Sequence, residues 1–407
     1  MGNAIELYDW NVYAIFAPFF AAQFFNLKHP VSALLATYAV FAVAFVMRPI
    51  GGFLFGWLAD RHGRRMSMLL SVGLASAGSL LIGLAPTYSS VGLTASVVLV
   101  LARLIQGLAY GGEIASSHTY IAEVAPAPRR GLWSSIICIS SMSALLVATL
   151  LGATLSTVLA KQQMVGWGWR VPFVVGGVLG IVALVLRRTL SETNAYEQAR
   201  TERQTGSRPS MMRGIWQNRI AGLRVIGLVV GGTVFFYTWL VAAPAYAITV
   251  KHIPAPEALW SGVIATSVMI VVLPFAGALS DRIGRRPNFV FFTLAAAALS
   301  FPLNRLIQNK AWQLTLAMTI AGVTIALVVS ILPAVLAELF PTHVRAAGIG
   351  VPYSLAVALC GGTAPLLQTW LATSGRGDLF IGYSVVLLLI GTVVVLAMPE
   401  TKAKPLE

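Results

Sequence analysis

A ten-residue polar pattern that occurs twice constrains the fold of this chain more than any other feature. One copy begins at Gly56 and the other at Gly277, and both read G-x-x-x-D-R-x-G-R-R. The equivalent aspartates, Asp60 and Asp281, are separated by an offset of 221 residues. Each copy lies between two long apolar segments. Recurrence of such a polar pattern in so apolar a chain indicates the same loop in two halves of a duplicated membrane protein.

The composition favours a chain that is solvated by lipid. Of the 407 residues, 57% are hydrophobic and only 10% are charged, whereas a soluble domain carries roughly 25% charged residues. So few charges could not cover a globular surface, and a bilayer removes that requirement. The net charge of +14 falls in short loops, which is typical of positive charge retained on one side of a membrane and not of a nucleic-acid-binding face.

Apolar runs long enough to cross a bilayer follow one another along the whole chain. A spanning helix needs about 20 mainly apolar residues, and this criterion predicts an all-α membrane protein with about twelve spans. The approximate limits are 4–26, 33–59, 67–87, 91–121, 132–160, 169–188, 220–248, 258–280, 288–308, 312–338, 346–373 and 378–398.

The distribution of Lys and Arg predicts the orientation of these spans. Nineteen of these residues fall on one set of loops and ends, seven fall on the opposite set, and Arg48 and Arg103 lie within spans. Because positive residues are retained on the cytoplasmic side, the richer set and both termini are expected in the cytoplasm. The expected location is a bacterial plasma (inner) membrane.

A second repeated loop supports the duplication and gives its direction. Residues 123–131 and 338–346 both begin with Glu and carry Arg at the eighth position. Because the two loop types occur in the same order in both halves, we expect parallel repeats. The predicted units are an N-terminal six-helix bundle, a cytoplasmic linker and a C-terminal six-helix bundle, at residues 1–188, 189–218 and 219–407.

The fourth span carries a polar stripe at helical spacing. Arg103, Gln106, Tyr110, Glu113 and Ser117 are three or four residues apart and share one helical face. Arg103 is expected about 18 Å from the outer end of the span, near the midplane, where a guanidinium suits a carboxylate. We therefore predict that Arg103, Gln106 and Tyr110 bind substrate. Pairing of Arg103 with a neighbouring helix is the alternative.

The first span shows the same spacing at Glu6, Asp9 and Tyr13. A carboxylate at bilayer depth is costly and is a functional candidate by default. Asp9 and Glu6 are therefore predicted to carry protons, and Tyr13 to bind substrate. Glu113 is an alternative proton carrier, and Glu6 has a second interpretation as a helix-end carboxylate favoured by the N-terminal dipole.

Other residues within spans give weaker signals. Arg48 is interpreted as structural. Tyr237 and Tyr353, on the seventh and eleventh spans, are candidates for lining a substrate cavity because a hydroxyl hydrogen-bonds polar ligands. Cys138 and Cys360 are interpreted as buried small hydrophobes, and neither a disulfide nor a metal site is indicated.

The acidic and basic residues of the repeated loops are predicted to form ion pairs that close the cytoplasmic face and break when it opens. Topology alone does not explain the repeated aspartate, because acidic residues contribute little to orientation. The predicted cytoplasmic gate consists of Asp60, Arg64, Glu123, Arg130, Asp281, Arg285, Glu338 and Arg345.

These motifs resemble those of a known family. The two copies of G-x-x-x-D-R-x-G-R-R, together with R-x-x-Q-G at residues 103–107, resemble the major facilitator superfamily. The segments 47–52 (MRPIGG), 111–113 (GGE) and 167–173 (WGWRVPF) are similar to its metabolite:proton symporter family. The pattern resembles the α-ketoglutarate and citrate-type permeases most, and the likeness covers nearly the whole chain.

The resemblance implies the major facilitator fold, with twelve transmembrane helices in two six-helix bundles around a cavity lined by helices one, four, seven and ten. It also implies alternating access driven by a proton gradient, with Asp9, Arg103 and Glu113 at family positions on cavity helices. Residues 132–160 contain no Pro, which favours symport over drug/proton antiport.

The leading hypothesis is a proton-coupled symporter that imports a small organic acid, a di- or tricarboxylate such as α-ketoglutarate or citrate. Symport of a zwitterionic compatible solute of the proline/betaine type, or of shikimate-like or aromatic acids, is the alternative. We expect no cofactor besides the proton gradient. The expected partners are the organic anion, the proton and the lipid bilayer, with a monomeric chain and no nucleic acid. An enzyme is disfavoured because the five histidines are scattered.

Overall fold

The computed structural model describes residues 2–25, 29–62, 64–111, 121–122, 124–188, 218–341 and 345–403, and no strand occurs among them. Six helices make up the N-terminal half of the described chain. They are α1 (Gly2–Phe24), α2 (Pro30–His62), α3 (Arg64–Leu84), α4 (Leu93–Ala109), α5 (Arg130–Val158) and α6 (Arg170–Arg188). Short helical segments precede α4, α5 and α6, at Tyr88–Val91, Ala127–Arg129, Lys161–Gln163 and Met164–Gly168.

Six further helices make up the described residues of the C-terminal half, and two of them contain a π-helical segment. They are α7 (Arg219–Phe236, Tyr237–Ala242, Ala243–Thr249), α8 (Ala255–Ile283), α9 (Arg285–Leu306), α10 (Ala311–Val329, Leu332–Glu338), α11 (Arg345–Ala356, Val357–Gly361, Ala364–Thr373) and α12 (Gly377–Leu396). The π segments are the middle ones of α7 and α11.

The described helices confirm the predicted all-α membrane fold. Ten of them are long and apolar enough to cross a membrane. The other two are α4, a shorter apolar helix of 17 described residues, and α1, which carries Glu6, Asp9 and Asn11 in its first half. Of the predicted linker, only Asn218 lies within the described residues, so the division of the chain at residues 188 and 219 stays a prediction.

The second copy of the repeated motif forms the tight connection between α8 and α9. Gly284 separates these helices with a backbone φ of +106°, a conformation that a side chain with a Cβ atom rarely adopts. A glycine at this position lets two long antiparallel helices follow each other directly, without a loop.

Within the described residues, contact between the two halves is most extensive where α5 packs along α8, α2 along α11, and α1 along α7. At the predicted cytoplasmic face, where α5 begins and α8 ends, Gly277 of α8 lies against Gly131 of α5. A Cβ atom on Gly277 would lie 2.6 Å from the carbonyl oxygen of Gly131. The first glycine of the repeated motif therefore permits close contact between the halves.

Replacing this glycine should destabilise the protein. We expect Gly277→Ala to lower the free energy of unfolding by about 1–3 kcal/mol, because the added methyl group meets backbone that has no room to move. Chemical unfolding of the purified protein in detergent measures the change. The matched control is Gly382→Ala in α12, where an added Cβ meets nothing within 4 Å. Equal stability of the two variants would contradict the close crossing.

Candidate functional site

Arg103 of α4 is fully buried against aromatic rings of α1. Its guanidinium carbon lies 4.2 Å from the ring centroid of Tyr13 and 4.4 Å from that of Trp10. Its Nη1 donates to Gln106 Oε1 at 2.7 Å, and Gln106 Nε2 donates to Ser79 Oγ of α3 at 2.8 Å. The Nε and Nη2 groups of Arg103 have no hydrogen-bond partner among the described residues. The site therefore holds a buried cation in which two nitrogen atoms donate no hydrogen bond to the described residues. Cation–π contacts with the aromatic rings stabilise this cation in part.

Asp9 lies beside this arginine and is 1% exposed. The hydroxyl of Tyr110 donates to Asp9 Oδ2 at 3.2 Å. Asp9 Oδ1 has no hydrogen-bond partner within the described part of the chain and packs against Gly176 of α6. Glu6, one turn earlier on α1, is also buried. The structure thus brings the predicted polar faces of α1 and α4 together, and the roles of these residues stay predictions.

Arg48 of α2 joins the same cluster, although the sequence interpretation treats it as structural. Its guanidinium carbon lies 3.8 Å from the ring centroid of Trp10 and 4.3 Å from that of Phe45. Trp10 therefore contacts two guanidinium groups, those of Arg48 and Arg103. The sequence signal that could have identified Arg48 is the one used for Arg103, an ionisable group at bilayer depth.

A cavity of about 140 Å³ lies between the two halves, next to this cluster. Its polar lining includes Arg48, Ser141, Tyr237 and Tyr353, so the structure places both predicted tyrosines at the cavity. Its lining residues come from α1, α2, α5, α7, α10 and α11. Helices one, seven and ten line the cavity as expected, whereas no described residue of α4 does, because these residues pack behind Trp10 and Tyr13.

Four of the predicted substrate-binding residues do not line this cavity. They lie in the N-terminal half, in and around the aromatic cluster, and they are Tyr13, Arg103, Gln106 and Tyr110. Substrate binding by them stays a prediction. Glu113, the alternative proton carrier, lies outside the described residues.

At the predicted cytoplasmic face, Asp281 of the repeated motif bridges the two halves. Its Oδ1 accepts the backbone N–H of Gly131 at 2.8 Å, and its Oδ2 accepts that of Leu132 at 2.9 Å. These N–H groups belong to the first turn of α5, where a helix has donors without intrahelical partners and a partial positive charge. Arg285 Nη1 donates to Asp281 Oδ1 at 2.8 Å. The repeated aspartate thus caps a helix of the opposite half.

A buried ion pair also joins the halves at this face. Arg130 Nη1 of α5 lies 2.9 Å from Glu338 Oε1 of α10, and both side chains are almost completely buried. Arg130 Nε donates to the carbonyl oxygen of Ala122, and Arg345 Nε donates to that of Ala337. These last two hydrogen bonds occupy equivalent positions in the second repeated loop.

Five of the eight predicted gate residues therefore meet at one face. They are Arg130, Asp281, Arg285, Glu338 and Arg345. Glu123 and the side chains of Asp60 and Arg64 lie outside the described part of the structure. That the network opens and closes during transport stays a prediction.

Glu400, which the sequence did not single out, is part of the same face. Its carboxylate accepts the backbone N–H groups of Arg285 and Arg286 at 2.9 and 3.0 Å, at the start of α9. Thr401 Oγ1 donates to Glu338 Oε2 at 2.6 Å. Partial burial of Glu400 opposes its charge, but hydrogen bonds from four backbone N–H groups outweigh this and hold its pKa below the ordinary 4.5. The segment after α12 thus helps to position the interdomain ion pair.

Comparison with known proteins agrees with this architecture. The sequence matches the Major Facilitator Superfamily over residues 1–365 and 252–407. The chain belongs to the major facilitator superfamily. It superposes on the xylose transporter XylE from E. coli, in a partially occluded inward open conformation, with a TM-score of 0.74 and 21% identity over 100% of this chain and 98% of that one. This likeness shows the fold.

Several curated transporters match nearly the whole chain. Alpha-ketoglutarate permease of Escherichia coli (strain K12) is 37% identical over 98% of this chain and 91% of its own. A proline/betaine transporter of Salmonella typhimurium is 31% identical over 100% and 83%. A citrate-proton symporter of Salmonella typhi is 32% identical over 90% and 85%. The protein is a membrane transporter of this superfamily and not an enzyme.

Removing one oxygen of the Asp281 carboxylate should weaken the contact between the halves. We expect Asp281→Asn to shift the distance between spin labels at Val124 and Ile283 toward longer values, because the amide cannot accept both α5 N–H groups and pair with Arg285. Pulsed electron paramagnetic resonance measures this distance in a background without native cysteines. Asp378→Asn, an exposed carboxylate on the opposite face, should leave it unchanged. An unchanged distance in Asp281→Asn would show that this carboxylate does not hold the halves together.

The Glu400 interaction should give the stability a pH dependence. Because the folded-state pKa of Glu400 is below 4.5, its carboxylate stabilises the fold above that pH, and the contribution is lost as the pH falls through the folded-state pKa. We expect Glu400→Gln to melt at a lower temperature than wild type at pH 7, with a difference that shrinks below pH about 4.5.

Thermal unfolding of the purified protein between acidic and neutral pH tests this expectation. Glu257→Gln, which changes an exposed glutamate on the opposite face, is the matched control and should melt like wild type at every pH. A Glu400→Gln difference that stays constant across the acidic range would contradict the role of the charged carboxylate.

Proposed function

We propose that this transporter is a proton-coupled symporter that imports a small organic acid, a di- or tricarboxylate, by alternating access between its two halves. The observation that carries the proposal is the buried cluster of Asp9 and Arg103 around Trp10. Opposite charges lie there at bilayer depth beside an interdomain cavity, and each has a polar atom without a partner among the described residues. Such groups are expensive in a membrane, and in transporters they mark substrate and proton pathways.

Asp9 is the proposed proton carrier. Its Oδ1 has no partner in the described chain, whereas its Oδ2 accepts from Tyr110. The carboxyl group can therefore bind a proton at Oδ1 without displacing Tyr110. Binding of that proton removes a negative charge from beside Arg103 and so changes the charge of the cluster that adjoins the cavity. We place the gate face and both termini in the cytoplasm, because Lys and Arg are concentrated there.

The relatives support a carboxylate substrate. The names of the similar proteins specify alpha-ketoglutarate, citrate, and proline or betaine. All of these molecules carry a carboxylate group. The 37% identity to alpha-ketoglutarate permease over 98% of the chain favours an organic acid such as α-ketoglutarate as the substrate, with no cofactor besides the proton gradient.

A zwitterionic compatible solute is the second candidate. The proline/betaine transporter of Salmonella typhimurium matches 100% of this chain. A quaternary ammonium group would bind the faces of aromatic residues, and Phe236 and Tyr237 line the cavity. Among the described cavity-lining residues, however, no carboxylate is present to pair with a cationic substrate group.

Uptake by proteoliposomes tests the proposal. An inward proton gradient should drive accumulation of radiolabelled α-ketoglutarate or citrate, and a protonophore should abolish it. With the gradient present, we expect Asp9→Asn to accumulate no more substrate than wild type accumulates without a gradient. The variant should still exchange internal for external substrate, because exchange needs no net proton movement.

The control for Asp9→Asn is Asp378→Asn, which should accumulate substrate like wild type. Gradient-driven accumulation by Asp9→Asn would exclude Asp9 as the proton carrier. Wild-type liposomes that take up proline or glycine betaine, and no organic acid, would favour the second candidate.

A further inference from the structure

We infer that Arg48 binds the carboxylate of the substrate in the interdomain cavity, and that Tyr237 and Tyr353 complete this site from the opposite half. The inference rests on the proposed transport of an organic acid. The direct contact with the anion is thereby assigned to Arg48. From the sequence alone, Arg103 was the predicted contact.

The charge of the cavity supports this assignment. Among the described residues that line it, Arg48 is the one with a charged side chain, and most of the others are apolar. Arg103 is 0% exposed and does not line the cavity. A buried cation next to an apolar space attracts an anion with little water to screen it, and charged hydrogen bonds offset the cost of taking the anion out of water. A carboxylate that enters the cavity therefore meets Arg48.

The surroundings of Arg48 also suit a carboxylate. The guanidinium carbon lies 3.8 Å from the ring centroid of Trp10 and 4.3 Å from that of Phe45. Ring faces accept no conventional hydrogen bond, so the N–H groups in the guanidinium plane stay available to bind both oxygens of a carboxylate. Arg48 is 5% exposed, and its Nε has no hydrogen-bond partner among the described residues. The protein thus leaves a buried donor for which the ligand is a suitable acceptor.

The opposite wall of the cavity supplies hydroxyl groups. Tyr237 comes from α7 and Tyr353 from α11, both in the C-terminal half. Tyr237 is the first residue of the π segment of α7, and the π segment of α11 begins at Val357, which also lines the cavity. Single π turns redirect side chains and are frequent at functional sites. The hydroxyl of Tyr237 already accepts a hydrogen bond from Arg48 across the two halves, so a carboxylate bound at Arg48 and the tyrosine hydroxyls would contact both halves, as alternating access requires.

The remaining lining predicts how the rest of the ligand lies. Its apolar residues include Leu7, Met142, Leu228 and Val328, which suit the carbon skeleton of a small acid. No Asp or Glu is among the described lining residues, and the nearby carboxylate of Glu6 already interacts with the positive charge of Arg48. The site therefore fits an organic anion better than a zwitterion.

Equilibrium binding of radiolabelled α-ketoglutarate to the purified full-length chain tests the assignment. Arg48→Gln should raise the Kd by roughly tenfold or more, because the charged hydrogen bonds are lost. Arg48→Lys should give an intermediate Kd, since it keeps the charge but not the planar fork. Tyr353→Phe should raise the Kd by roughly two- to tenfold. The control is Arg305→Gln, which changes an exposed arginine on the face opposite the predicted gate. This variant should bind like wild type.

Size-exclusion chromatography and thermal unfolding establish that each variant is folded. If Arg48→Gln does not fold, Arg48→Lys and Tyr353→Phe decide the question. Wild-type affinity in the folded Arg48 variants and in Tyr353→Phe would overturn the assignment and leave the proposed transport of an organic acid intact.

A different result would overturn the proposed function instead. If the wild-type chain binds glycine betaine but neither α-ketoglutarate nor citrate, the organic-acid proposal fails. The same variants are then measured with glycine betaine, which also carries a carboxylate. A weaker affinity in Arg48→Gln would support Arg48 as the carboxylate ligand, and an unchanged affinity would contradict it.

Discussion

A charged side chain inside a bilayer must find its partners within the protein, and in this transporter those partners surround Trp10. Each such charge costs about 2.5–3.5 kcal/mol to insert. The guanidinium groups of Arg48 and Arg103 both lie over the indole ring, and Asp9 is the residue that precedes Trp10 on α1. The same contacts therefore stabilise the packing of α1, α2 and α4 and place charged groups beside the interdomain cavity.

The repeated motif has a physical explanation at four of its positions in the second half. Gly277 lets α8 approach α5, and Gly284 makes the turn between α8 and α9. Asp281 caps the first turn of α5 in the other half, and Arg285 pairs with that aspartate. These interactions lie on one face, while the cavity lies deeper between the halves. Binding at the cavity and closure at the face can then be linked through the movement of whole bundles.

Much of this arrangement could be predicted from the sequence, because helical spacing reports which residues share a face. The stripes on α1 and α4 do meet in the structure, and Tyr237 and Tyr353 do reach the cavity. Spacing does not report which neighbour covers a face. Arg103 was predicted to bind substrate, with pairing to a neighbouring helix as the alternative, and in the structure rings of α1 pack over it.

The residues that the sequence missed depend on contacts between distant segments. An arginine at bilayer depth can be structural or functional, and the sequence around Arg48 does not distinguish the two. The positions of α5, α7 and α11 around Arg48 show that it lines the cavity. Glu400 follows the last helix and belongs to neither repeated loop. Its hydrogen bonds to the start of α9 form only in the folded chain.

The most direct test of this account is an experimental structure of the protein with α-ketoglutarate bound. We expect a substrate carboxylate about 3 Å from the guanidinium of Arg48, between the two halves and within reach of Tyr237 and Tyr353. A ligand bound elsewhere, or an Arg48 side chain directed toward lipid, would contradict it.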